Sequence, residues 1–106
     1  MGNDKLYVEH VLESIRKIET FVEGLDFENF RKNELVQSAV MRELEIIGEA
    51  AKKISEELKQ VKPVMPWKKV VGMRDKLAHD YFEIDVEAVW QTIKDDLVFL
   101  KKNLLE

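Results

Sequence analysis

The sequence predicts an all-α domain, a bundle of four or five helices that run up and down. Apolar residues recur at steps of three and four over long stretches, which is the spacing of one helix face. No stretch of useful length alternates apolar and polar residues as a strand does. The 106 residues form one domain, 1–106, and the mix of 45% hydrophobic and 36% charged residues is typical of a soluble helical protein.

The first helix is predicted to begin at Asn3-Asp4, which offers an N-cap, and to end near Gly24. Its apolar face consists of Leu6, Val8, Val11, Leu12, Ile15, Ile18, Phe21, Val22 and Leu25. Residues Asp26–Phe30 follow as a tight connection whose two phenylalanines close the end of the bundle.

The longest helix is predicted from Glu34 to about Lys59, with Asn33 as its cap. Its core stripe consists of Val36, Val40, Leu44, Ile47, Ala51, Ile54 and Leu58. A second apolar set consists of Leu35, Ala39, Ile46 and Ala50. The two sets together exceed what a lone surface helix needs, so packing on a second chain is expected. Gly48 lowers the stability of this helix by about 1 kcal/mol relative to alanine, which a close backbone approach would compensate.

The next helix is predicted to start at Pro66, which suits a first helical turn. Its apolar side consists of Trp67, Val70, Val71, Met73, Leu77 and Ala78. Its other side carries a cluster of cations that is the best candidate for a phosphate-attracting patch: Lys68, Lys69, Arg74 and Lys76. Lys68 and Lys69 equally fit a role as solubilising surface residues.

Asp85 is predicted to cap the final helix. The apolar stripe of this helix consists of Val86, Val89, Trp90, Ile93, Leu97, Leu100 and Leu104. Trp90 is interpreted as an anchor of the core rather than a platform on which a base stacks.

Charge and composition restrict the classes of function. The net charge of −4 excludes a protein that coats nucleic acid through its overall field, so any contact with RNA must be local. The absence of cysteine excludes disulfides and thiolate metal sites. No apolar run approaches the ~20 residues of a membrane span, and the N-terminus has no signal-peptide pattern, so a cytoplasmic location without membrane contact is expected.

One of the two histidines lies in the stretch Arg74-Asp75-Lys76-Leu77-Ala78-His79-Asp80-Tyr81. Histidine transfers protons near neutral pH, and the guanidinium of arginine binds a phosphate through paired hydrogen bonds. In a continuous helix His79 would lie about 140° round from Arg74. Both would reach one target only if the helix ends near His79 or if a second copy supplies the missing half. A helix end with an ordinary surface arginine and a half-buried histidine is the alternative.

Other titratable residues are interpreted as surface groups. His10 lies beside Glu9 and Glu13 with no second histidine near it in the sequence. Glu45 and Glu49 lie on one helix face, but neither histidine completes the Glu-x-x-His spacing of a di-iron bundle. No metal and no cofactor are therefore expected.

The spacing Arg74-x4-His79-x-Tyr81 resembles the signature of HEPN-domain proteins, in particular the toxins of the HepT–MntA toxin–antitoxin type. Similar segments precede it, Ile46–Lys52 and Met65–Trp67, and Val71–Arg74 leads into the signature. Trp90 falls where the last helix of that family carries a tryptophan. The resemblance extends from about Glu34 to Trp90.

This resemblance implies a homodimeric, HEPN-like bundle that acts as a ribonuclease on RNA. It implies that Arg74 and His79 are the catalytic residues. It further implies that a partner nucleotidyltransferase, the MntA-like antitoxin, silences the toxin by attaching AMP to Tyr81.

Two acidic neighbours have supporting roles in this interpretation. Asp75 stands one turn before His79 and is placed to hold its ring. Asp80 stands where relatives often carry glycine, and it would either orient His79 or oppose an incoming phosphate.

Two other classes of function remain open from the sequence. The chain would serve a nucleotidyltransferase as a non-catalytic, nucleotide-binding accessory if Arg74 held a nucleotide phosphate. It would be a dimeric scaffold if Arg74 and His79 were structural.

Overall fold

The computed structural model describes residues 3–78 and 83–106. These ranges contain α1 (Asp4–Val22), α2 (Phe27–Arg31), α3 (Glu34–Lys53), α4 (Glu56–Val61), α5 (Trp67–Val71), α6 (Met73–Leu77), α7 (Val86–Gln91) and α8 (Leu97–Leu105), with a π-helical turn at Thr92–Asp96. The predicted all-α class is confirmed. No helix in the described ranges is long and apolar enough to cross a membrane.

The core lies between α1, α3 and α8, with α5 and α6 packed on α3. The predicted stripes supply its fully buried side chains, which include Val11, Ile15, Ile18, Val40, Leu44, Ile47 and Leu100. Gly24 has a φ of +78°, so it ends α1 in the left-handed conformation that glycine adopts without strain. Asn33 and Asp85 cap α3 and α7 as predicted, each accepting a hydrogen bond from a backbone N–H three residues later.

The start of α1 differs from the predicted cap. Asn3 stands at the cap position, but its side chain makes no capping hydrogen bond. Asp4 instead accepts hydrogen bonds from the backbone N–H and the hydroxyl of Ser55, which tie the start of α1 to the start of α4.

The predicted extension of α3 to Lys59 is wrong, because α3 ends at Lys53. Ile54 turns into an extended conformation and buries its side chain. The hydroxyl of Ser55 then accepts a hydrogen bond from the backbone N–H of Leu58 and starts α4. The N-cap at Ser55 therefore starts a new helix, although apolar residues at helical spacing continue to Leu58.

The predicted tight connection at Asp26–Phe30 is part of a short helix, α2, which Asp26 caps by accepting from the backbone N–H of Asn29. Phe30 is fully buried, and the ring of Trp90 packs against it with the centroids 5.0 Å apart. The Phe27 ring lies 6.2 Å from the same indole. Trp90 is thus an anchor of the core, as the sequence predicts.

The second apolar set of α3 is only partly free for another chain. Ala50 is buried within this chain, whereas Ala39 and Ile46 are half-buried. Leu35 alone of the four is largely exposed, at 81%. The wide apolar face therefore serves mainly the chain's own bundle.

Candidate active site

Helix α6 holds Arg74 at the edge of the core. Met73 and Leu77 on the same helix are buried and anchor it against α3. The Arg74 side chain is 35% exposed, so part of it packs on protein while part reaches solvent. Its Nη1 lies 3.7 Å from Oδ1 of Asp75, which is largely exposed. This placement leaves the guanidinium accessible to a phosphate.

The position of α5 and α6 is fixed by the close approach predicted at Gly48. A Cβ on Gly48 would lie 2.7 Å from the carbonyl oxygen of Val71 at the end of α5. Only glycine lets the two backbones come this near, so the prediction of a close approach is confirmed as helix against helix. Gly72 follows at once and separates α5 from α6.

Helix α6 ends two residues before His79. Ala78 has extended backbone angles and forms an isolated antiparallel bridge with Ile84. The backbone N–H of Asp85 donates to the carbonyl of Leu77 at 2.8 Å. The helix that carries Arg74 therefore ends at Leu77. The condition that the helix ends near His79 is met.

Three predicted site residues, His79, Asp80 and Tyr81, lie outside the described residues. Arg74 and Asp75 are the described members of the predicted site. The bridge between Ala78 and Ile84 joins the chain segments that precede and follow the other three residues.

The predicted cluster of four cations is divided. Lys69 points towards the final helix and lies 3.5 Å from a carboxylate oxygen of Asp96. Lys68 instead lines an open groove of about 460 Å³ whose walls are Lys52, Glu56, Lys59, Trp67, Lys68 and Val71. We call this the lysine groove. Sequence reasoning missed it, because Lys52 and Lys59 lie on different helices and the turn at Ser55 brings them to Lys68.

A second groove, of about 420 Å³, lies between α1 and α3 and includes His10, Glu45 and Glu49. All three side chains are exposed, in agreement with their interpretation as surface groups. Arg42 and Lys53 line the same groove and balance the two acids. Residues 3–78 and 83–106 contain no group of three or more histidines or acids that could hold a metal ion.

A buried carboxylate also escaped the sequence analysis. Glu43 on α3 is only 7% exposed, and its Oε1 has no hydrogen-bond partner. Its position between Val40 and Ile47 gave the only signal, since a charged residue interrupts an otherwise apolar surface of the helix there.

Comparison with known proteins connects this arrangement to a family. The family model described as "Ribonuclease HepT-like" matches residues 11–106. The chain is 45% identical to a probable ribonuclease HepT of Thermococcus cleftensis, over 92% of this chain and 88% of that protein. No solved structure gives a significant match.

Two further relatives are described as putative RNases. The one from Caldanaerobacter subterraneus subsp. tengcongensis is 38% identical over 100% of this chain and 95% of its own length. One from Methanocaldococcus jannaschii is 40% identical over 93% of this chain and 82% of its own length. On the family match and these identities, the chain belongs to the HepT-like ribonuclease family.

Proposed function

We propose that this chain is a metal-independent endoribonuclease, the toxin of a cytoplasmic toxin–antitoxin pair, and that Arg74 and His79 carry the reaction. The observation that supports this best is the end of α6 at Leu77. The solvent-accessible Arg74 lies one turn before this end, and His79 follows Leu77 by two residues in the sequence. Membership in a ribonuclease family names the substrate class.

The reaction uses the RNA's own 2′-hydroxyl as the nucleophile. Its oxygen attacks the adjacent phosphorus, the bond to the 5′-oxygen breaks, and a 2′,3′-cyclic phosphate remains. One group must accept the 2′ proton and another must protonate the leaving oxygen, a task that suits the imidazole of His79. Arg74 offsets the charge that develops on the phosphate, because its guanidinium stays protonated and donates two parallel hydrogen bonds.

Asp75 and Asp80 act as supporting residues in this scheme. Asp75 stands one turn before His79 in the sequence and holds its ring, and its carboxylate also lies 3.7 Å from the Arg74 guanidinium. Asp80 adjoins His79 in the sequence, and its carboxylate either orients the imidazole or weakens the attraction for phosphate.

A second copy of the chain completes the site. One arginine and one histidine do not supply a base, an acid and a cation together, whereas two copies about a two-fold axis supply two of each. Several large apolar side chains are exposed on the single chain, among them Leu35, Val61, Val64 and Phe99, and are available for burial against a second copy. Light scattering at micromolar concentration is expected to return twice the chain mass of 12.5 kDa. A monomer mass would remove the composite site.

Tyr81 is the point of control in this proposal. A nucleotidyltransferase antitoxin attaches AMP to its hydroxyl, which adds negative charge and bulk beside the phosphate site. The modified side chain then competes with RNA for Arg74.

The experiment that tests the catalytic residues compares the parent with Arg74→Ala and His79→Ala on labelled RNA. Each variant is expected to lose at least about 100-fold in cleavage rate, the usual effect of removing a general acid–base or a charge-stabilising group. Helicity by circular dichroism should be unchanged. Arg16→Ala is the matched control, because Arg16 is an exposed arginine in α1 that forms an ion pair with Glu13, three residues before it on the same helix. Equal loss of activity and of folding in both site variants would instead indicate a structural pair.

A further inference from the structure

We propose that the lysine groove is a second binding site for the RNA backbone, which holds a single-stranded segment next to the cleavage site. The proposal rests on the proposed ribonuclease function for the identity of the polymer. It concerns a surface outside the Arg74–Tyr81 stretch.

Charge along the chain is strongly segregated. Residues 52–76 contain eight lysines and arginines and three acids, a formal net charge of +5. The rest of the chain has nine basic and eighteen acidic residues, a net charge of −9. A chain that is acidic overall therefore presents one basic segment, and a polyanion is attracted to that segment and repelled from the others.

The fold concentrates part of this charge around a concave surface. Lys52 comes from the last turn of α3, Lys59 from α4 and Lys68 from the first turn of α5. The break at Ser55 separates α4 from α3, so that three helices each contribute one ammonium group. Glu56 is the acid of the groove, and its carboxylate lies 3.9 Å from Nζ of Lys59 and is 84% exposed. The lining side chains therefore have a net charge of +2.

The groove also has an apolar and partly aromatic lining. Trp67 and Val71 supply it, and both are half-buried. The indole Nε1–H of Trp67 donates to the carbonyl of Lys62 at 3.2 Å, which fixes the ring. Positively charged walls over a fixed aromatic side chain are the combination by which proteins hold single-stranded nucleic acid, since phosphates contact the lysines and a base contacts the ring.

The groove adjoins the proposed catalytic residues through the chain itself. Val71 lines the groove, and only Gly72 and Met73 separate it from Arg74. The contact of Val71 with Gly48 fixes this end of the groove on α3. The groove and Arg74 thus belong to adjoining helices, and in this proposal one RNA strand contacts both, with one phosphate at Arg74 and others at the lysines.

The test measures binding of a fluorescein-labelled RNA of about 12 nucleotides, a length within the usual range for such sites. Every 2′-hydroxyl is methylated, so that the parent protein cannot cleave it. Lys52→Gln/Lys59→Gln/Lys68→Gln is compared with Lys5→Gln/Lys17→Gln/Lys102→Gln, which removes three exposed lysines elsewhere. Because Lys59 is only 16% exposed, the double variant Lys52→Gln/Lys68→Gln tests the groove with that residue intact.

The groove variants are expected to raise the Kd on the order of tenfold or more at low salt, while the control triple variant binds like the parent. In the groove triple variant the slope of log K against log salt should become shallower by about 2, since three phosphate contacts to a single strand are lost. Groove variants that bind as tightly as the control, or a parent that does not bind the RNA, would overturn the proposal.

Cleavage assays separate this inference from the proposed function. A dinucleotide is too short to span both sites, so the groove variants should cleave it at the parental rate while cleaving long RNA about tenfold less efficiently at low concentration. If the parent binds RNA through the three lysines yet cleaves none, the proposed function is wrong and the groove is still an RNA-binding site.

Discussion

The carbonyl oxygen of Val71 lies 2.7 Å from the point that a Cβ on Gly48 would occupy. This contact joins the middle of α3 to the end of α5, and α6 with Arg74 begins two residues later. A backbone carbonyl cannot move aside as a flexible side chain can. The contact therefore fixes the position of α5 on α3, and with it the position of Arg74 on the helix that follows. The lysine groove shares the same residue, Val71, so one contact positions both surfaces.

Gly48→Ala is therefore expected to destabilise the protein, although the same change in an exposed helix would stabilise it by about 1 kcal/mol. The added methyl group must push α5 away from α3, and overpacking of this kind lowers the free energy of unfolding by roughly 1–3 kcal/mol. Urea unfolding measures the loss. Ribonuclease activity should fall as well, since α6 moves with α5.

Gly72→Ala is the matched control for this prediction. A Cβ on Gly72 would approach the carbonyl oxygen of Lys68 at 3.6 Å, which is an ordinary contact. Its stability should change much less than that of Gly48→Ala. Equal stability of Gly48→Ala and the parent would contradict the account of how α6 is positioned.

The Asp4–Ser55 contact gives the fold a pH-dependent element. The hydroxyl of Ser55 donates to the carboxylate of Asp4 and, with its backbone N–H, lowers the pKa of Asp4 below its ordinary value. A carboxyl group with a lowered pKa in the folded state stabilises that state above its unfolded pKa, and the stabilisation is lost as the pH falls through the folded value.

Asp4→Asn is accordingly expected to lower the Tm at about pH 7 and to have a smaller effect near pH 2, because protonation of the Asp4 carboxyl at acid pH removes the charge that the variant lacks. Ser55→Ala should lower the Tm at neutral pH as well, since it removes the hydroxyl donor and the cap of α4. Thermal unfolding followed by circular dichroism at the two pH values tests this. An Asp4→Asn variant with the same Tm deficit at both values would indicate that the carboxylate charge plays no part.

Tyr81 is expected to receive AMP when the protein is incubated with the proposed nucleotidyltransferase partner and ATP. Tyr81→Phe should keep its ribonuclease activity and escape silencing, because the phenol oxygen that accepts the nucleotide is gone. Tyr7→Phe is the control, since Tyr7 lies in α1 with its ring 5.9 Å from Nζ of Lys53. Mass spectrometry that finds the adduct outside Tyr81, or a Tyr81→Phe variant that is silenced as readily as the parent, would refute this mode of control.

Local signals in the sequence were sufficient to predict much of the fold. Asn33 and Asp85 stand just before apolar periods, and each caps the helix that was predicted to follow. Gly48 lies inside a helix, where glycine lowers helix stability, and the close approach of α5 explains why glycine is there. In each case the physical cause lies within a few residues of the signal.

The features that the sequence did not predict depend on competition between local sequence signals and on contacts between distant residues. At Ser55 an N-cap competes with an apolar period that runs on to Leu58, and the bond to Asp4, 51 residues earlier, favours the cap. The lysine groove depends on that turn, because a continuous helix would carry Lys59 away from Lys68. Neither outcome is encoded in a local pattern.

Cleavage of labelled RNA by the purified protein in excess chelator, with analysis of the product ends, distinguishes metal-independent from metal-dependent cleavage. We expect undiminished cleavage and a 2′,3′-cyclic phosphate, because in the proposed reaction the 2′-hydroxyl is the nucleophile and His79 and Arg74 take the place of a metal ion. Activity that disappears in chelator and returns with a divalent cation, or products that lack the cyclic phosphate, would contradict the proposed reaction.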